Sequence, residues 1–166
     1  MIEEISFTID AHQNHPKKPS KAFRKWDGKT PYSIHPIWSA MTILTETDLD
    51  EKTRMEGYQT LIYHDVKEDT NKPLPSNLES RILELVNHMT FEGGSEQEMQ
   101  EIWGKPKEVR LYKLYDKVSN LLDASWMTTE KRAKYEEYLG KLTLDAEKNY
   151  GILNITKIAR AIGRIK

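Results

Sequence analysis

Residues 58–70 read YQTLIYHDVKEDT. The stretch begins as an apolar helix and ends in charge. Tyr58, Leu61 and Ile62 recur at helical spacing, with Met55 one turn earlier, and the period predicts a helix from about Asp50 to Val66 with those four side chains inward. Then come His64, Asp65, Glu68 and Asp69. Glu68 lies four residues past His64 and Asp69 four past Asp65, so each pair shares a helix face. Three carboxylates and an imidazole crowd the C-terminal end, where the helix dipole already disfavours negative charge. One reading is a polar helix end facing water. The other is that a cation sits among the four.

Working outward, the chain reads as helical throughout. Residues 1–10 form a helix or an extended arm, and 13–32, with three of the seven prolines, form a loop. Ser33 caps a helix with Pro36 in its first turn, where the missing N–H costs little. Ile34, Ile37, Met41 and Leu44 make its apolar stripe. Asn71 to Pro75 stop the next helix. Ser76–Glu79 reads as a capping box for a helix carrying Leu78, Ile82, Leu85 and Met89, and Ser95–Glu98 as another, opening a short helix that ends near Gly104. A helix from about Pro106 to Ala124 carries Val109, Tyr112 and Leu121. Others run from Thr128 or Thr129 through Leu142, and from Asn154 to Ile162. The expectation is a single all-α domain, residues 1–166, of six to eight helices.

Composition narrows the function. The 166 residues are 37% hydrophobic and 31% charged, with mean hydropathy -0.73, as in a folded domain with a charged exterior. No apolar run approaches the roughly 20 residues of a membrane span. The first ten residues lack a basic region followed by an apolar core, which argues against secretion and for a cytoplasmic protein. Cysteine is absent, excluding disulfides, thiolate zinc sites and cysteine nucleophiles. The net charge of -1 argues against binding nucleic acid through bulk charge. Residues 16–29 nevertheless hold six basic residues against one acid, either a phosphate-facing patch or a solvated loop.

Two distant residues bear on the charged helix end. His35 opens the Ser33-capped helix, and Asp116 lies within the apolar stretch 111–118, LYKLYDKV. A buried, unpaired carboxylate is costly; a metal ion would remove that cost, and so would a salt bridge with Lys113 or Lys117. Two imidazoles and two carboxylates suit Mn²⁺, Fe²⁺, Co²⁺, Zn²⁺ or Mg²⁺. Water on such an ion is a nucleophile near neutral pH. The chemistry indicated is hydrolysis of a phosphate ester or anhydride.

The pattern His35, His64-Asp65, Asp116 resembles the signature of the HD superfamily of metal-dependent phosphohydrolases. Within it, the chain is most similar to small single-domain guanosine tetraphosphate (ppGpp) 3′-pyrophosphohydrolases. Arg24-Lys25, Thr30-Pro31-Tyr32 and His35-Pro36 carry the likeness, with 64–70 and the stretch 113–120, KLYDKVSN; it spans roughly residues 10–125. The resemblance implies an HD-type helical bundle, in which His35, His64, Asp65 and Asp116 hold one divalent metal, Mn²⁺ first among the candidates. Glu68 and Asp69 orient or deprotonate the attacking water. Arg24 and Lys25 meet the purine and phosphates, Tyr32 and Asn120 line the nucleotide pocket, and Lys113 neutralises phosphate or pairs with an acid. The alternative within the superfamily is a deoxynucleotide 5′-nucleotidase or triphosphohydrolase. Residues 13–23 look like an insertion, and 90–108 lacks the basic residues of the family. His12, His15 and His88 are left outside the site. The tryptophans are read as packing residues, with Trp26, which follows Arg24-Lys25, the one that could sit beside a base, and Lys157, Arg160, Arg164 and Lys166 serve only the charge balance of the last helix.

Overall fold

A computed structural model describes residues 1–163. Its helices are α1 Ile2–Asn14, α2 Ile34–Ile43, α3 Glu51–Tyr63, α4 Val66–Asp69, α5 Ser80–Met89, α6 Gly94–Glu101, α7 Lys107–Leu122, α8 Thr129–Tyr150 and α9 Asn154–Gly163. Among the described residues, eight of these are true helices and α4 is a single turn; the only strand-like pairings are isolated bridges, Pro16 with Thr70 and Phe23 with Pro31. The all-α expectation holds. None of these helices is long and apolar enough to cross a membrane. Arg164 and Lys166 lie outside the described residues; Arg160 pairs with Glu147 at 2.6 Å.

The bundle is organised around α7. Its sequence, KEVRLYKLYDKVSNLL, is apolar on several faces, and such a helix is stable only when surrounded. It packs against α2, α3, α5, α8 and α9. Leu111, Tyr112, Leu114 and Tyr115 are all buried on it, each worth about 1.5–3 kcal/mol of transfer free energy. Enclosure from all sides forces Lys113, Asp116 and Lys117 into the interior with them.

Several local expectations change. On α2 the buried residues are His35, Pro36, Ser39, Ala40 and Ile43. Of the expected stripe, Ile37 and Leu44 pack against the core, while Ile34 is 52% exposed and Met41 39%. Ser33 stands at the N-cap of α2 but its side chain accepts no capping bond. Met55 is exposed. Neither capping box forms: α5 starts at Ser80 behind Glu79, and α6 starts at Gly94, where Gln97 accepts from the Gly93 N–H at 2.7 Å. Thr128 does cap α8, accepting from the Lys131 N–H at 3.2 Å, and α8 runs on to Tyr150. Residues 1–10 belong to a helix.

The helix carrying the opening motif also breaks earlier than its period suggests. It ends at Tyr63, and Asp65 has φ -94° and ψ -7°, off the helical minimum. The turn continues through Asp69 N–H to Asp65 O at 2.8 Å and Thr70 N–H to Val66 O at 3.0 Å.

Candidate metal centre

Three elements converge. α2 supplies His35, the break after α3 supplies His64 and Asp65, and α7 supplies Asp116. The Nε2 atom of His35 lies 3.2 Å from Asp116 Oδ1 and 3.4 Å from Asp65 Oδ2. That of His64 lies 3.2 Å from Asp65 Oδ2 and 3.9 Å from Asp116 Oδ1. One ligand atom from each of His35, His64 and Asp116 falls within 4.8 Å of the other two. Neighbouring donors on an octahedral ion with bonds of about 2.1 Å lie roughly 3 Å apart, so the spacing suits a divalent cation.

The hydrogen bonding of the imidazoles fits the same purpose. His64 Nδ1 is 2.7 Å from the Leu61 carbonyl. A carbonyl only accepts, so Nδ1 carries the proton and Nε2 keeps its lone pair. His35 Nδ1 is held by Ser119 Oγ at 2.8 Å. Both Nε2 atoms are buried without a hydrogen-bond partner. A buried orphan acceptor costs about 1–3 kcal/mol, and two aimed at one point are what a metal ion would satisfy, with the Nδ1 contacts orienting the rings.

The two oxygens of Asp116 divide between the two readings posed for it. Its Oδ1 faces His35 and accepts from Asn120 Nδ2 at 2.6 Å, while its Oδ2 meets Lys113 at 3.0 Å and Lys117 at 3.3 Å. Burial alone would raise this carboxyl; Lys117 and Lys113 overcome that and hold it well below the usual carboxylate range. Both lysines also reach Glu98 of α6, at 3.1 and 2.9 Å. Lys113 is therefore buried among acids, the second of its two expected roles, and is not free to meet a phosphate. Lys117 pairs with Asp116 as the salt-bridge reading expected; Glu98 and Ser119 were not anticipated in this setting.

At the rim, desolvation and then the Asp65 charge push the exposed Glu68 carboxyl up to about 7. Asp69 is raised too, by burial and by Asp65, but Lys21 opposes the rise from 2.5 Å away. Tyr32 donates its hydroxyl to Asp65 Oδ2 at 2.7 Å.

Two cavities adjoin the cluster, with Arg24 in the wall of both. The larger, about 390 Å³, is lined by Trp26, Thr30, Ile34, Trp38 and Leu122 beside His35. The smaller, about 140 Å³, is lined by Lys21, Lys25, Tyr32, Asn120, Trp126 and Lys131. Arg24 is buried, and its donor edge is consumed by Asp123 at 2.6 and 2.8 Å and by Asn120 at 3.2 Å. What it offers a ligand is its flat face, which already lies 5.3 Å from the Tyr32 ring centre. The turn that presents it closes through Arg24 N–H to Thr30 O and Tyr32 N–H to Ala22 O, both 2.8 Å, with Gly28 at φ 65° supplying the left-handed residue. Lys25 lies 4.5 Å over Trp126.

His15 and His88 stay outside, beside Asp10 and Glu84. His12 does not. It is buried against Tyr32, ring centres 5.0 Å apart, with neither nitrogen hydrogen-bonded, and burial holds it neutral by lowering it to about 4.

No protein-family model matches the sequence, and no curated protein matches it either. Among solved structures, the chain is similar to one described as a metazoan ortholog of SpoT that hydrolyses ppGpp and plays a role in starvation responses. The identity is 23%, the alignment covers 98% of this chain and 93% of that one, and the TM-score is 0.68. A likeness of this degree shows a shared fold, all-helical in this chain among the described residues.

Proposed function

We propose that this chain is a single-domain, metal-dependent phosphohydrolase that converts guanosine 3′,5′-bis(diphosphate) to GDP and pyrophosphate. The observation that carries the reading is the pair of buried, unpartnered Nε2 atoms of His35 and His64 facing Asp65 and Asp116. A divalent ion held by these four residues, Mn²⁺ first among the candidates, supplies Lewis acidity and lowers the pKa of water.

The remaining steps belong to the chain's own side chains. Glu68, poised near neutrality, takes the proton from the attacking water, and Asp69 orients that water. Water adds to the phosphorus attached to O3′, that P–O bond breaks, O3′ departs and takes up the proton to become the 3′-hydroxyl of GDP, and the hydrated diphosphate is released as pyrophosphate. The larger cavity, walled by the face of Arg24 and by Trp26 and Trp38, receives the purine through stacking. The smaller one, with Lys25 and Lys131, receives phosphate. Tyr32 and Asn120 line its inner wall. The substrate is a free nucleotide in the cytoplasm, not a nucleic acid. The likeness to a protein described as hydrolysing ppGpp supports the choice among nucleotides.

The test is incubation with Mn²⁺ and ppGpp, dNTPs or dNMPs, followed by separation of products. GDP with pyrophosphate is expected. Orthophosphate from a dNMP, or triphosphate from a dNTP, would shift the assignment to a deoxynucleotide phosphohydrolase. No turnover of any of them, with metal bound, would leave a nucleotide-binding module. Glu68→Gln is expected to abolish turnover while Mn²⁺ remains bound.

A further inference from the structure

The segment 13–23, which looks like an insertion ahead of Arg24-Lys25, is built into the wall of the site. Its N-terminal part is fastened to the turn after His64-Asp65. The Lys17 N–H donates to Asp69 O at 2.9 Å, and the Asn71 N–H donates to His15 O at 2.8 Å. The Lys17 ammonium donates to the carbonyls of Lys67 and Glu68, at 2.8 and 3.0 Å. These are end carbonyls of α4, a place where a cation is favoured. The C-terminal part is pinned by the Ala22–Tyr32 and Arg24–Thr30 bonds. Between the two anchors, the short 3₁₀ turn Pro19–Ala22 carries Lys21.

Lys21 is half-buried, and its ammonium sits 2.5 Å from Oδ1 of Asp69, a side chain only 4% exposed. Asp69 has no other ammonium or guanidinium partner among the described residues. Its neighbours Asp65 and Glu68 are both acids and repel it. Without Lys21, this buried carboxylate keeps only the neighbouring Tyr32 hydroxyl to oppose the repulsion and has no charged partner. The charge-assisted hydrogen bond from Lys21 supplies the constraint. The backbone anchors on either side fix where the ammonium stands.

We propose that Lys21 is a positioning residue for Asp69, and that segment 13–23 is the device that delivers it to the catalytic site. The proposal rests on the function proposed above, in that it assigns Asp69 a part in orienting the attacking water. Lys21 also lines the smaller cavity, so contact with substrate phosphate is the competing role. The two differ in what they change: loss of a positioning residue lowers kcat, and loss of a phosphate contact raises KM.

The experiment uses the full chain as wild type, Lys21→Met, Lys21→Arg, Asp69→Asn and the double variant Lys21→Met/Asp69→Asn. In metal-free urea unfolding, the two single changes are expected to be non-multiplicative in the unfolding constant by roughly tenfold, the value of one charge-assisted hydrogen bond. With Mn²⁺ and ppGpp, Lys21→Met is expected to lower kcat at least about tenfold with KM little changed. Lys21→Arg should restore most of the rate, and Lys21→Met should have no further effect in the Asp69→Asn background. A loss confined to KM, or independent effects of the two changes on kcat, would overturn the proposal. If the wild-type protein turned over no nucleotide, the proposed function would fall, and the unfolding cycle alone would decide the pair, with multiplicative effects refuting it.

Discussion

Glu98 is the least conspicuous charged residue at the site and the one whose removal has the largest calculable consequence. Its carboxylate stands 3.1 Å from the Lys113 ammonium and 2.9 Å from that of Lys117, and all three side chains are at most 7% exposed. Both ammoniums also share Oδ2 of Asp116. The four residues form a closed group of two cations and two anions. Despite burial, the acids hold both lysines above their usual range.

Glu98→Gln breaks that balance without changing volume. At an effective dielectric constant of about 20, each contact near 3 Å is worth roughly 5.5 kcal/mol of Coulomb energy. Most of it is offset by the desolvation that the wild-type carboxylate no longer suffers. Removing one partner from a buried pair costs about 3–5 kcal/mol in practice, and we expect the lower end, since the amide oxygen still accepts one hydrogen bond. Urea unfolding of metal-free protein measures it. A second consequence follows at Asp116. Released from Glu98, both ammoniums fall to the carboxylate proposed as a metal ligand, so Mn²⁺ affinity should drop by about 10- to 100-fold, as when outer partners of a metal ligand are lost. Titration calorimetry checks that. A stability loss under about 1 kcal/mol together with unchanged Mn²⁺ affinity would refute the account of the group as a supporting clamp.

Two further changes probe the site and the packing beneath it. The folded-state pKa of Glu68 is raised, so the metal-free protein loses stability as pH rises from its unfolded value, about 4.3, through about 7. Glu68→Gln should therefore be more stable than wild type at pH 8 and equal to it at pH 4; a difference independent of pH in thermal unfolding would contradict the crowding of carboxylates. Gly57 lies where α3 crosses α2, and a Cβ there would meet Ile43 and stand 2.7 Å from the buried Tyr112 ring. Gly57→Ala should cost about 1–3 kcal/mol through overpacking, measured by denaturant unfolding; a neutral or stabilising result would show that α2 and α3 separate freely.

Three of the candidate ligands were legible because they stood in short stretches whose residue types conflict with their surroundings: His64 and Asp65 among acids at a helix C-terminus, and Asp116 as a carboxylate within an apolar run. His35 showed no such conflict and was singled out by the resemblance of the His35-Pro36 stretch to a family motif. Residues whose role arises only from tertiary contact were not. Glu98 sits in GSEQEMQE, a segment whose polarity suits a solvated helix, and nothing local reveals that Lys113 and Lys117 arrive from α7. Lys21 was one of six basic residues between 16 and 29, and its neighbours do not say which lysine turns inward. The α2 stripe was partly misread, for a functional reason. The face toward α7 has to present His35, so His35 and Ser39 are buried and Ile34 and Trp38 turn to line the larger cavity. Apolar periodicity finds the core-facing side only where the core is what that side faces.

The charge argument made on the sequence also acquires a sharper form. Four crowded groups seemed to call for a cation, but the chain provides most of the compensation itself. Lys21 neutralises Asp69, and the charges of Asp116, Glu98, Lys113 and Lys117 cancel. Among the described residues, Asp65 has only the Tyr32 hydroxyl and the two imidazoles, and Glu68 has no ion pair. Two acids remain beside two imidazoles whose Nε2 atoms have no hydrogen-bond partner. That remainder is complementary to one dication and not to two, since a second ion would have to displace Lys21 or a buried lysine to find its ligands. The stoichiometry is therefore expected to be one Mn²⁺ per chain, and elemental analysis finding two tightly held ions would mean that these internal ion pairs open on metal binding.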